Sequence, residues 1–310
     1  MILIFFIIVL TFFISQSYEN VLLTVPYNEH FNGHSSRYEY HGMLFSKKKN
    51  LMQAVILDFP QVPFKDILLK KEFLTFGNRI NDTRHDGRYL QVNLKGESIF
   101  KTLPSNKFPV QLSQYGTQFY YSCNKSLYKT LKEAIYFCEL LEKYSKVKSQ
   151  YKLLGKDPYA SRMWIGVWSE CFYDCFSRHH FEELKTRFLR ELYMLRKVYN
   201  GRPLRINFYL ETMAEKQALK NAKSNQLLIK GSEKTKIHEV AAFASPPFAS
   251  LQVNKWYNDY LETKKNKNNK FKISRVESSQ FRFLLSPIVR EVGVGITLEK
   301  KTISIVFAFK

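Results

Sequence analysis

Apolar residues in the second half of the chain recur at helical spacing in three stretches. Phe181, Leu184, Phe188, Leu192, Leu195 and Tyr199 form one stripe, and Gly201 suits a helix stop. Leu210, Met213, Ala214, Ala218 and Ala222 form a second, with Asn207 placed to cap its N-terminus. Ser245-Pro246-Pro247 breaks the chain before a third, marked by Val253, Trp256, Tyr257 and Tyr260. Val292–Leu298 and Thr302–Phe309 follow the shorter strand period and read as a closing β-hairpin. Helices flanking a small antiparallel sheet predict a three-layer α/β/α sandwich over residues 181–310.

The first half is patterned differently. Short β-type runs at Val21–Val25, Leu51–Phe59, Tyr89–Leu94 and Gln118–Ser122 are separated by polar connections. One amphipathic helix follows over Ser126–Ser149, with Leu127, Leu131, Ala134, Ile135, Cys138 and Leu141 on its apolar face. The expected fold class is therefore α+β, with a small α+β module at residues 18–160 ahead of the sandwich. Lys146–Arg162 reads as a linker, and the aromatic-rich segment 161–180 as a strap onto the next domain. His30, His34, His41 and His85 are scattered without carboxylates at ligand spacing, and the module carries no motif with chemistry attached.

Residues 1–17 are an apolar run too short to span a bilayer, closed by Ser15-Gln16-Ser17. They read as a signal peptide, so the expected location is secreted and extracellular, with no membrane span after cleavage. Lys and Arg number 48 against 27 Asp and Glu, and from Phe176 onward 26 against 12. A secreted chain this basic is biased toward sulfated glycans, acidic lipid headgroups or acidic proteins, and its compartment excludes nucleic acid. The densest cationic stretch holds Lys264, Lys265, Lys267, Lys270 and Lys272, a candidate polyanion-binding loop. Asn81 and Asn124 begin glycosylation triplets.

The oxidising compartment favours disulfides among Cys123, Cys138, Cys171 and Cys175, and three pairings are open. On a helix starting at Ser126, Cys138 lies on the order of 18 Å along the axis, a strained reach for Cys123. A bond between Cys171 and Cys175 across one helical turn is tight. Crossed pairing is expected, each of Cys123 and Cys138 joining Cys171 or Cys175. The spacings match no common zinc pattern.

Several blocks of the last third fall in one order. They are Leu195-Arg196, Asn200-Gly201-Arg202-Pro203-Leu204, His238-Glu239-Val240, Trp256-Tyr257-Asn258-Asp259, Ser279-Gln280-Phe281 and Glu291-Val292-Gly293-Val294-Gly295. Together they resemble the CAP superfamily (SCP/TAPS: cysteine-rich secretory, antigen 5 and pathogenesis-related 1 proteins), whose domain is an α-β-α sandwich. The resemblance implies a polar cavity of two His and two Glu. Its four positions fall here on Gly231, Glu239, Asp259 and Gln280, so both imidazoles are absent. The remaining set is a poor metal site, and neither a metal nor a cofactor is expected. Adjacent strand residues face opposite ways, so His238 does not join Glu239 in the cavity. Glu239 and Asp259 are expected as hydrogen-bonding groups that hold strand to helix.

The resemblance implies a secreted, non-catalytic binding or effector protein, similar to CAP proteins of parasitic nematodes, with host proteins among its partners. Two alternatives use the same cavity. One is a metal-independent hydrolase on Glu239 and Asp259, the other a lipid or sterol carrier on Phe243, Pro246, Pro247 and Phe248.

Overall fold

The computed structural model describes residues 22–76, 79–82, 89–92, 98–101, 103, 107–115, 118–229, 237–265 and 276–310. The fold is α+β, with two mixed sheets and two compact units, residues 1–142 and 143–310. The segment read as a signal peptide lies outside the described residues.

The first unit is built around β1 (Leu23–Phe31), whose Leu23 and Val25 are fully buried. Along its whole length β1 pairs in parallel with β4 (Ile67–Phe76). On its other side the partner changes. β8 (Val110–Tyr115) pairs in parallel with Leu23 and Thr24 only, while β2 (Ser36–Tyr40) pairs antiparallel with Asn28–Phe31. β3 (Met43–Phe45) extends β2, and β5 (Arg79–Asp82), β6 (Tyr89–Val92) and β7 (Ser98–Lys101) continue from β4. β9 (Gln118–Cys123) and β10 (Ser126–Tyr128) fold back on β8. Helices α1 (Lys48–Asp58) and α2 (Leu131–Tyr144) complete the unit.

Two expectations fail in this unit. Leu51–Phe59 is helical, because Leu51, Met52 and Val55 bury one helical face while Leu57 stays in water. The second failure concerns the cysteines. Ser126–Tyr128 is a strand, turned back by Asn124 and Lys125 at φ 49° and 65°, and α2 starts only at Leu131. Its start is a capping box: Glu133 N–H donates to Thr130 Oγ1 (3.2 Å), and Thr130 N–H donates to Glu133 Oε2 (3.3 Å). The reversal brings Cys123 within 6.0 Å of Cys138 between Cα atoms, and the two are bonded. Cys171 and Cys175 form the other disulfide at a Cα separation of 5.1 Å. Pairing is local, and the crossed pairing is overturned.

In the second unit a four-stranded sheet runs β11 (Arg205–Ile206), β13 (Glu291–Glu299), β14 (Thr302–Phe309), β12 (His238–Ala244). β13 and β14 are the closing hairpin expected from their pattern. On one face lies α6 (Phe208–Ser224), its Leu210, Ala214 and Ala218 packed with Ala241, Val306 and Ala308. Asn207 caps α6 by accepting from Leu210 N–H (3.2 Å). The other face carries α5 (Arg178–Lys197), α7 (Gln252–Lys265) and α8 (Val276–Leu285). There Phe188 and Trp256 lie 5.8 and 5.6 Å from Phe307, centroid to centroid.

Segment 146–162 is part of this unit and is not a free linker. Asp157 caps α3 (Pro158–Trp168) by accepting from Ala160 N–H at 2.8 Å. The preceding backbone is held by side chains of α7: Gly155 N–H donates to Asn254 Oδ1 (3.0 Å) and Asp157 N–H to Asn258 Oδ1 (3.1 Å). The expected strap, 161–180, runs as most of α3, then α4 (Tyr173–Phe176) and the start of α5. Among the described residues no helix is long and apolar enough to cross a membrane.

Candidate functional site

The blocks that carried the resemblance have structural work in this unit. Arg196 is fully buried and donates to three backbone carbonyls: Arg202 O (3.0 Å), Val289 O (2.8 Å) and Leu284 O. Gly201 closes against it, since a Cβ there would stand 3.0 Å from Arg196 Cβ. Gly293 and Gly295 lie under α6 so closely that a Cβ would fall 2.0 Å from Glu211 N and 2.1 Å from Ala214 C. Glu291 accepts from Asn207 Nδ2 (2.8 Å) and pairs with Lys310 (3.1 Å), tying the cap of α6 to β13. Those contacts hold its carboxyl below the usual range.

Three of the four cavity positions lie among the described residues. Gly231 lies outside the described residues. Glu239 is buried on the α6 face of the sheet, paired in register with Ala308 and alternating with Ala241. Asp259 is on α7, on the opposite side. The strand alternation expected for His238 holds: its ring stacks on Phe283 (5.0 Å) and Phe309 (5.7 Å), away from Glu239. Gln280, on α8, buries Oε1 without a hydrogen-bond partner among the described residues. Phe243, two residues beyond Ala241 on the edge strand β12, does reach a surface shared with Asp259.

Lys264 and Lys265 are exposed in the last turn of α7, where cations suit the helix dipole. Lys267, Lys270 and Lys272 lie outside the described residues. Of the glycosylation candidates, Asn124 is half-buried in the β9–β10 turn, and Asn81 is in β5 opposite Leu74.

A cleft of about 580 Å³ opens where the 146–157 segment crosses α7. Its apolar wall comes from Leu153, Leu154, Phe243, Phe248 and Leu251. Lys156, Lys255, Asp259 and Glu262 line it alongside. The 3-10 turn Pro246–Leu251 positions Phe248, and its Pro246 and Pro247 are buried as a wedge. Gln150 Nε2 donates to Pro247 O (2.9 Å), and Trp164 Nε1 to Ser250 O (2.9 Å), which fixes that turn against the crossing segment. Leu153 keeps 56% of its surface in water, an apolar side chain held open at the rim. A volume and lining of this kind suit a ligand with an apolar body and a charged or polar end.

Sequence reasoning named Phe243 and Phe248 together for a lipid groove and Asp259 for the polar cavity, and missed Leu153 and Leu154. Their only signal was an apolar pair inside a stretch read as linker.

Residues 19–140 match a family model described as "Domain of unknown function (DUF7381)". That match covers the first unit and less than half of the chain. No curated protein matches this sequence.

One further buried group is Glu191 on α5. Its Oε2 accepts from Trp168 Nε1 at 2.7 Å, and Oε1 has no partner among the described residues. Burial pushes its carboxyl up to about 8, with the Trp168 hydrogen bond acting the other way. Lys185 behaves differently. Burial disfavours its charge, yet contacts with Glu182 (2.7 Å) and Glu215 (2.8 Å) raise its pKa above the usual value, and Glu211 lies 3.2 Å away. The three-carboxylate group at Glu182, Glu211 and Glu215 is thus occupied by an ammonium.

Proposed function

We propose that the protein is a secreted, non-catalytic binding protein whose second unit, similar to the CAP superfamily, carries an amphipathic lipid-like ligand. The observation that carries this reading is the cleft itself. Phe243, Phe248, Leu153 and Leu154 offer apolar surface beside Lys156, Lys255, Asp259 and Glu262. Each aliphatic or aromatic side chain that a ligand covers contributes about 1.5–3 kcal/mol. Two lysines beside that wall suit a carboxylate or phosphate head.

Support for binding over catalysis comes from the sequence: Gly231 and Gln280 stand where the resemblance implies two imidazoles, the side chains best suited to acid–base work near neutral pH. Two disulfides and an apolar N-terminal run support export, and the resemblance to secreted CAP proteins supports a role in host interaction.

The test is titration of the mature protein with a dansylated fatty acid, followed by displacement with oleate. Saturable, displaceable emission is expected. Leu153→Ser and Phe248→Ser are expected to weaken binding about tenfold, the equivalent of about 1.4 kcal/mol each. Lys264→Gln, outside the cleft, is expected to leave it unchanged. Absence of saturable emission, or cleft variants that bind like the parent, would remove the lipid reading.

A further inference from the structure

A second cleft lies in the first unit, at the place where β1 changes partner. β8 pairs with β1 only as far as Thr24, and β2 takes over at Asn28. Pro26 occupies the interval, where a residue without an N–H leaves no donor unpaired. The split opens a cavity of about 370 Å³, within the range of small-ligand sites.

Two local irregularities aim side chains into it. The β1–β4 register steps from Tyr27↔Lys71 to Asn28↔Phe73, so Glu72 is an extra, unpaired residue. Bulges of this kind redirect a side chain and recur beside functional sites. The β2–β3 hairpin turns through His41 and Gly42 at φ 51° and 75°. A left-handed histidine is strained, and stacking holds it: its ring is 3.8 Å from Tyr40 and 4.5 Å from Phe119.

The lining charge is opposite to that of the molecule. Glu39 and Glu72 both line the cleft, and among the described residues none that lines it is Lys or Arg, in a chain with 48 of these. Glu39 is oriented by His30 Nε2 (2.7 Å) and Asn28 Nδ2 (3.3 Å), whereas Glu72 has no ion-pair or hydrogen-bond partner among the described residues. His41 adds no positive charge at neutral pH, since burial lowers its pKa against the pull of Asp58. Tyr115 and Phe119 expose 60% and 39% of their surface at the same place.

We propose that this cleft binds a small organic cation, a primary or quaternary amine, with Glu39 and Glu72 supplying charge and His41, Tyr115 and Phe119 the ring surface. Aromatic faces beside carboxylates attract ammonium groups through both the ring quadrupole and direct charge. A neutral sugar would use the same rings and would gain nothing from the missing cations.

The experiment is calorimetric titration of the full chain with choline, with its neutral isostere 3,3-dimethylbutan-1-ol and with methyl glucoside. Choline is expected to bind with Kd below roughly 1 mM, and the neutral isostere about tenfold more weakly or not at all. Glu72→Gln is expected to weaken choline about tenfold while thermal unfolding stays unchanged. Phe119→Leu provides a second lesion that keeps apolar volume, with weaker choline binding expected. Equal binding of the isostere, preference for methyl glucoside, no choline binding at 1 mM order, or an indifferent Glu72→Gln would each overturn the proposal.

Discussion

Gly293→Ala and Gly295→Ala are each expected to destabilise the second unit by about 3 kcal/mol or more, the upper range for overpacking. The new methyl group would stand 2.0–2.1 Å from backbone atoms of α6, and backbone cannot swing aside as a flexible side chain can. Relief requires α6 to move off the sheet, which loosens Leu210, Ala214 and Ala218 against Val306 and Ala308. Urea unfolding followed by tryptophan emission reads this unit alone, because all three tryptophans (Trp164, Trp168 and Trp256) are buried within it. Gly166 is the control. It lies exposed in α3 with nothing within 4 Å of a Cβ, so Gly166→Ala is expected to stabilise by about 0.5–1 kcal/mol. Unchanged stability in both sandwich variants would show that the helix does not rest on these glycines.

Glu191→Gln is expected to raise stability at alkaline pH, with the gain vanishing in acid. The folded carboxyl titrates near 8, above its ordinary value of 4.5. Between those limits folding therefore takes up a proton that the unfolded carboxylate has lost. The stabilisation this gives is complete below pH 4.5 and is lost as pH rises through about 8, at up to about 1.4 kcal/mol per pH unit across the window. Gln keeps an acceptor for Trp168 Nε1 and cannot ionise. The difference between variant and parent, measured by urea unfolding at pH 5 and pH 8.5, isolates this group from every other titration. A difference that does not grow with pH would mean that Glu191 is not held protonated in the folded state.

The sandwich was legible where periodicity was long. Leu184, Phe188, Leu192 and Leu195 are all buried on one face of α5, Asn207 caps α6, and β13 pairs with β14 as its pattern required. Short segments misled. Leu51-Met52 and Val55 satisfy a helix as well as a strand, and β-propensity favoured the wrong one. The capping box Thr130-x-x-Glu133 did mark the true start of α2, and using it would have shortened the helix and freed Cys123 to meet Cys138. The 146–157 segment looked like a linker because its backbone partners, Asn254 and Asn258, lie a hundred residues away. Which face of a strand meets which helix is a tertiary fact, so Glu239 could be singled out in sequence without revealing that it packs under α6. The β1 cleft was illegible for the same reason: Pro26, Glu39, Glu72 and Phe119 meet only after a change of strand partner.

Photolabelling tests the central claim, a lipid-like ligand in the second unit, most directly. The full chain is irradiated with a diazirine fatty acid, with and without excess oleate, and digested for peptide mapping. Oleate-protected label on Leu153–Lys156, on Phe243–Leu251 or on Lys255–Glu262 is the expected result. Label that oleate does not displace, or that falls outside those three segments, would contradict the assignment of the cleft.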